Sequence, residues 1–329
     1  MNPQIPQRKL NTIVTACDDS YFWGAYLLIA SIRFNQGIYP IIVFAHGLNQ
    51  KQVSALEQFG DVKVVSSDKP YLHLSKPDAI AEACTEFISW IDADCIFVGN
   101  LDKLLIPANR SFQIRFRRVE ENYSVFKNRY TSDDTLGEIP NAILKIWRHD
   151  IGERSTPRYS TQCVSNCFSF HREHLPYIRR WKHQIERYSA EATSPTNPSS
   201  TAYFMSDESV LSSLLCYGHE TPATTDYRLD NANDAHLMHF GMAAKPWFRW
   251  QKRHLYYYDY VQVILRWALD QGYSQDGLPY SLNGKSRIII HLHSQVCENF
   301  SLMRRLLSDV FIGTKRYFQH HKRLFTTKS

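Results

Sequence analysis

Apolar residues in the first hundred positions fall into short continuous runs separated by segments of helical spacing. NTIVTAC (11–17), YPIIVFAH (39–46), DVKVVSS (61–67) and EFISWIDAD (86–94) each hold an apolar stretch of strand length. YFWGAYLLIASIRFN (21–35) repeats its apolar positions at near-helical intervals. NQKQVSALEQFG (49–60) is an amphipathic helix, with Asn49 as its N-cap and Gly60 as its terminator. KPDAIAEAC (76–84) opens a helix with Pro77 in the first turn. Strands alternating with helices predict an α/β fold around a mainly parallel sheet. Such sheets bind ligands beyond the carboxyl ends of their strands, and Asp18, Asp92 and Asp94 all fall at such ends.

Later patterning is weaker. Residues 117–140 are polar and read as loop-rich. SAEATSPTNPSST (189–201) has the Pro, Ser and Thr content of a long surface loop, the kind that forms lids and linkers at an α/β rim. HLYYYDYVQVILRWALDQG (254–272) reads as helix, and SRIIIHLH (286–293) as a late strand.

A chain of 329 residues suits one large domain or two modest ones. Its 43% apolar and 21% charged residues are those of a globular protein. The opening residues lack the apolar core of a signal peptide, and no apolar run approaches the ~18 residues of a spanning helix, so a cytoplasmic location is expected. The seven cysteines have irregular spacings without a CxxC, which argues for buried, reduced thiols over a zinc ribbon or redox motif. Net charge is +6, and residues 301–329 alone carry that sum, with seven Lys/Arg against Asp309. The basic character therefore belongs to a tail, and nucleic-acid binding by the body of the protein is not indicated.

The chemistry begins with SWIDADCIFVGN (89–100). Asp92 and Asp94 stand one residue apart in an apolar run, where a carboxylate is costly unless it is paired or binds a metal. In a regular strand side chains at i and i+2 share a face, so both carboxylates can converge on one divalent cation where the strand breaks. Oxygen ligands suit Mg²⁺ or Mn²⁺, ions commonly shared with substrate phosphates. A turn-forming or helix-capping Asp pair is the alternative, and the tripeptide alone does not separate the two. A second stretch, HLMHFGMAAKPWFRW (236–250), supplies His239, a good ligand for Mn²⁺-like ions, and Lys245, which can meet a diphosphate as a point charge.

Together these segments resemble glycosyltransferase family 8, enzymes of the GT-A fold. The resemblance runs over about 10–250 and rests on Thr15-Ala16-Cys17-Asp18 followed by Tyr21, on Asp92-Ala93-Asp94, and on a closing segment like H-x-x-G-x-x-K-P-W at His239–Trp247. It implies a Rossmann-like nucleotide-sugar-binding domain over 1–250 and a mainly helical extension over 251–329 with a basic amphipathic tail. Asp92, Asp94 and His239 would bind Mn²⁺ or Mg²⁺, with Asp92 also near the ribose. Ala16, Asp18 and Tyr21 would hold the uridine, Tyr21 by stacking. Lys245 and Gly241 would serve the diphosphate. Asp207 and Glu208 would face the donor sugar as catalytic candidates, beside the Ser165-Asn166-Cys167 segment. Three positions depart from the family pattern. Met242 stands where the family has glycine, with Gly241 one residue early; Glu208 replaces a glutamine; and Cys167 replaces a glycine.

The activity so implied is metal-dependent transfer of a hexose from a UDP-sugar to a glycan or glycolipid acceptor, with retention at the anomeric carbon. The basic tail 301–329 can lie on an anionic membrane surface. A catalytically silent nucleotide-sugar-binding or scaffold protein is the alternative. A sugar nucleotidyltransferase ranks lower, because ACDDSYFWG (16–24) has no Gly-rich basic loop, and a zinc hydrolase is disfavoured by the absence of HExxH.

Overall fold

The computed structural model describes residues 10–69, 72–99, 102–192, 202–226, 237–241, 244–284, 288–292, 294–296 and 299. It divides into two compact units, Met1–His239 with Trp267–Gln275, and Phe240–Arg266 with Asp276–Ser329. The tail 301–329, Met242 and residues 193–201 lie outside the described residues.

The first unit begins as its hydrophobic pattern predicts. Strands β1 (Asn11–Asp18), β2 (Ile41–His46), β3 (Val62–Ser66) and β4 (Phe87–Ile91) alternate with helices α1 (Phe22–Phe34), α2 (Gln50–Glu57) and α3 (Lys76–Ala81). Helix α1 is buried from Gly24 to Ile32, which explains its apolar residues on every side. Helix α2 starts with a capping box: the Asn49 side chain accepts from the Gln52 N–H, and Gln52 Oε1 accepts from the Asn49 N–H.

Beyond β4 come β5 (Cys95–Phe97), α4 (Asp102–Leu105), β6 (Phe112–Phe116), α5 (Val119–Phe126), α6 (Asn141–Ile151), β7 (Cys163–His171), α7 (Leu175–Ala192), α8 (Asp207–Tyr217), β8 (Thr224–Thr225) and β9 (Leu237–His239). The main sheet has seven strands in the order β3-β2-β1-β4-β7-β6-β8. Neighbours from β3 to β4 run parallel, β7 is antiparallel to both β4 and β6, and β8 is parallel to β6. This is the mixed, mainly parallel α/β sheet expected. Strand order reverses at β1, whose partners are β2 on one side and β4 on the other, and that switch point opens a crevice beyond the two strand ends. A second sheet pairs β5 with β9, setting Cys95 opposite His239.

Three local readings change. Strand β4 stops at Ile91 instead of running through Asp94; the Cys95 N–H closes a turn onto the Asp92 carbonyl at 3.0 Å, with Ala93 and Asp94 at its centre. The polar stretch 117–140 contains α5, where Asn122 and Phe126, four residues apart, share the buried face. The apolar run expected as a late strand is helical over 288–292: Ile290 and Ser294 are buried four residues apart while Ile288, Ile289 and Leu292 are exposed. A short apolar run carries too little periodicity to separate the two states.

Helix α9 (Tyr258–Asp270) starts after a 3₁₀ turn over Lys252–Tyr257. Trp250 lies edge-on to Tyr258, and its indole donates to the Ser281 carbonyl at 2.8 Å. Five of the six described cysteines are buried and none is disulfide-bonded; Cys84 is exposed. Among the described residues no helix is long and apolar enough to cross a membrane.

Candidate functional site

A cavity of about 470 Å³ opens at the β1/β4 switch point. Four separated segments of its wall carry the residues singled out by sequence. From β1 and the turn after it come Ala16, Asp18 and Tyr21; from the turn after β4 come Asp92 and Asp94; β9 ends in His239; and α8 begins with Asp207 and Glu208. Eight of the residues singled out by sequence therefore line one space. Gly241 and Lys245 belong to the second unit, where the Lys245 ammonium donates to the Phe240 carbonyl at 2.8 Å.

Each group is placed by its backbone. Asp18 caps the short turn after β1, its Oδ1 accepting from the Tyr21 N–H at 3.0 Å and the Ser20 hydroxyl at 2.6 Å. The Asp92 N–H donates to the Asn166 carbonyl at 2.8 Å, extending the β4–β7 ladder by one residue and fixing where the turn begins. The buried Trp90 then donates its indole N–H to Asp92 Oδ1 at 2.7 Å. Asp207 and Glu208 occupy the first turn of α8, where the helix dipole favours carboxylates. The residue before them, Ser206, has φ +47°, a left-handed conformation that costs a non-glycine residue of order 1 kcal/mol or more. The Trp181 indole, donating to the Asp207 carbonyl at 3.1 Å, helps to hold that corner.

At the centre of the wall lies Lys76, which the sequence reading passed over. Its side chain is 5% exposed, and its ammonium stands 2.9 Å from both Asp92 Oδ1 and Asp207 Oδ2. It also donates to the Ser165 carbonyl at 3.1 Å and lies 5.3 Å from the centre of the Trp90 ring. Burial alone would lower its pKa; the charges of Asp207 and Asp92 outweigh burial and hold it above the ordinary lysine value. Lys76 thus ties the strand-end acid to the helix-start acid. Glu208 has its own cation: Arg117 Nη2 is 2.6 Å from Oε1, while Oε2 accepts from the Ser165 N–H at 3.1 Å. The same serine donates its hydroxyl to Asp207 Oδ2 at 2.9 Å.

Neither cation stands out in the sequence. A lysine opening a polar helix reads as solvated, and Arg117 begins a stretch that reads as loop. One signal was present. In FQIRFRR (112–118), Gln113, Arg115 and Arg117 alternate with Phe112, Ile114 and Phe116, the period of a strand with one polar face.

Asp94, Cys95 and His239 offer ligand atoms that all lie within 4.8 Å of one another, and Asp94 Oδ1 is 3.3 Å from His239 Nε2. A carboxylate oxygen with an imidazole nitrogen fits Mn²⁺ or Mg²⁺. The Cys95 thiol does not suit a hard ion: burial, with Asp94 and Asp92 adding to it, pushes its pKa well above the ordinary value and keeps it protonated. Asp92 is not part of this trio but lines the same cavity; among the described residues, the Trp90 indole and the Lys76 ammonium both meet its Oδ1.

No protein-family model matches the chain, and no curated protein does. Solved structures do. The apo structure of the bifunctional glycosyltransferase WbbM aligns with 82% of this chain at a TM-score of 0.54 and 15% identity. This chain covers 52% of that one, about half its length. The glycosyltransferase GlyE of Streptococcus pneumoniae TIGR4 aligns at a TM-score of 0.48 and 10% identity, covering 82% of this chain and 66% of its own. The galactosyltransferase LgtC, in complex with donor and acceptor sugar analogs, aligns at 0.43 and 15% identity, over 72% and 90%. The chain has the α/β fold of the GT-A glycosyltransferases.

Proposed function

We propose that this protein is a metal-dependent glycosyltransferase that moves a hexose from a UDP-sugar to a glycan or lipid-linked glycan, with retention of configuration. One observation carries the reading: a single cavity at the β1/β4 switch point collects Asp92, Asp94 and His239 with Asp18 and Tyr21. The first three would hold Mn²⁺ or Mg²⁺, and Ala16, Asp18 and Tyr21 would hold the uridine. A cation bound there supplies positive charge to the diphosphate, where negative charge grows as the sugar–oxygen bond breaks.

The chain's own residues suit the remaining work. Lys76 joins Asp92 to Asp207, so the metal end and the sugar end of the site keep a fixed spacing. The ion pairs of Asp207 and Glu208 favour electrostatic positioning over nucleophilic attack, since a nucleophile needs a free lone pair aimed at C1. In this reading the acceptor hydroxyl attacks from the face that the diphosphate leaves, and its proton passes to a diphosphate oxygen. The protein works in the cytoplasm, and the basic segment 301–329 holds it to an anionic membrane surface. The exposed Ile288, Ile289, Leu292 and Val296 precede that segment in sequence and support this placement.

A panel of nucleotide-sugars, scored for UDP release with Mn²⁺ or with EDTA, tests the reading. Release from at least one UDP-sugar that needs the metal is expected. Release that ignores EDTA refutes the metal dependence, and none from any UDP-sugar, with acceptor glycans present, refutes the activity. Co-sedimentation with anionic vesicles should require residues 301–329; equal binding by a chain lacking them refutes the membrane role.

A further inference from the structure

Five carboxylates line the cavity (Asp18, Asp92, Asp94, Asp207 and Glu208) against three cationic side chains, Lys76, Arg115 and Arg117. The cations are not interchangeable. Lys76 is shared by Asp92 and Asp207. Arg115 is 3.0 Å from Glu121, a carboxylate outside the cavity wall. Arg117 is the cation that meets Glu208, at 2.6 Å, with both side chains largely buried, 14% and 9% exposed.

We propose that Arg117 is a positioning residue for the donor: it cancels the charge of Glu208 and keeps that carboxylate against the Ser165 backbone, so that a nucleoside diphosphate meets a neutral wall there. This rests on the glycosyltransferase reading and adds a residue to it. The geometry carries the step. Glu208 has one oxygen on the guanidinium and the other on the Ser165 N–H, which leaves it turned towards protein on both sides. Ser165 separates the two neighbouring acids, giving its N–H to Glu208 and its hydroxyl to Asp207. Arg117 is itself held by its backbone, whose N–H donates to the Gln162 carbonyl at 2.9 Å just past the end of β6. Glu208 is anchored through α8, where Ser209 accepts from the Gln162 amide at 3.3 Å. The pair therefore joins two rigid elements, not two mobile side chains.

The consequence is electrostatic. A carboxylate left unpaired in a largely buried wall acts over several ångströms at low dielectric, and a diphosphate is an anion. Removing Arg117 should therefore weaken donor binding through Glu208, and removing Glu208 as well should cancel that effect. A merely structural role predicts the opposite, because the double variant then loses two wall groups. The contact reaches Glu208 through Nη2 alone, so a lysine should preserve much of it.

The test is calorimetric titration of UDP in the presence of Mn²⁺ into the full chain, wild type and variants. Arg117→Met should weaken binding by about tenfold or more in the Glu208 background, and by less than about threefold in the Glu208→Gln background. Arg117→Lys should fall between wild type and Arg117→Met. An equal effect of Arg117→Met in both backgrounds, or no effect in either, overturns the proposal. If Arg117→Met alone does not fold, the double variant decides: affinity within about threefold of Glu208→Gln supports the proposal, and a loss of tenfold overturns it. A wild type that binds no UDP with Mn²⁺ overturns the glycosyltransferase reading and the role of Arg117 with it.

Discussion

Two acidic pairs meet at one cavity and are treated differently. Asp207 and Glu208 open a buried helix, and each has a cation of the chain within 2.9 Å: Lys76 for the first, Arg117 for the second. Asp92 and Asp94 leave the end of β4. Lys76 reaches one oxygen of Asp92, whereas Asp94 stands against His239, whose imidazole is charged only when protonated. A buried carboxylate needs a compensating charge, and the helix-start pair has found one inside the protein. The strand-end pair has a histidine nitrogen beside it, 3.3 Å from Asp94 Oδ1, the donor combination that the proposed cation site uses. That contrast is consistent with the proposed assignment of metal binding to the strand-end pair and sugar-side positioning to the helix-start pair.

The contrast can be broken at several points. The largest expected effect is on the strand end. Asp94→Ala should reduce metal-dependent UDP release by at least about a hundredfold while the far-UV circular dichroism spectrum stays unchanged; full turnover with Mn²⁺ would remove Asp94 from the site. Next is the lysine between the pairs. Lys76→Met leaves Asp92 and Asp207 without their cation in a buried wall, and urea denaturation should show a loss of about 3–5 kcal/mol. A loss near zero would mean that the carboxylates find other partners. A control away from the cavity, Asn49→Ala, removes the cap of α2 and should cost about 1 kcal/mol in the same assay without changing UDP release.

The smallest effect sharpens the comparison from outside the cavity. Glu153 pairs with Arg180 nearer the surface, the same chemistry as Glu208 with Arg117 in a wetter place. Burial alone would raise the Glu153 carboxyl, but Arg180 and the His219 backbone N–H outweigh it and hold it below the ordinary glutamate value. Its stabilisation is therefore present above that ordinary value and is lost as pH falls through the lower folded value. Glu153→Gln should cost less than about 1 kcal/mol at neutral pH, and the gap from wild type should close in acid. A gap that widens in acid would reverse the sign assigned to the pair.

Much of this molecule can be read from the chain. The apolar runs of β1 to β4, the Asn49 cap and the placement of Asp18 and Asp92 at strand ends follow from periodicity and local capping chemistry. The wall residues that sequence misses share one property: tertiary burial gives them their meaning. Lys76 opens a short helix and looks solvated until α8 brings Asp207 to it. Arg117 follows directly on a strand, β6, whose alternation is hidden by the polar stretch after it. The run at 286–293 failed for another reason, since isoleucines favour strands only where a neighbouring strand completes the pairing. The turn at Asp92–Cys95 was masked by the apolar residues on both sides of it.

Asp92, Asp94 and His239 are the cation site proposed to serve a uridine diphosphate. Titrating UDP into wild type and Asp94→Asn, each with Mn²⁺ and with EDTA, tests it most directly. Wild type should bind UDP in a way that EDTA abolishes, and Asp94→Asn should lose the Mn²⁺-dependent part. UDP binding of equal strength in all four titrations would contradict it.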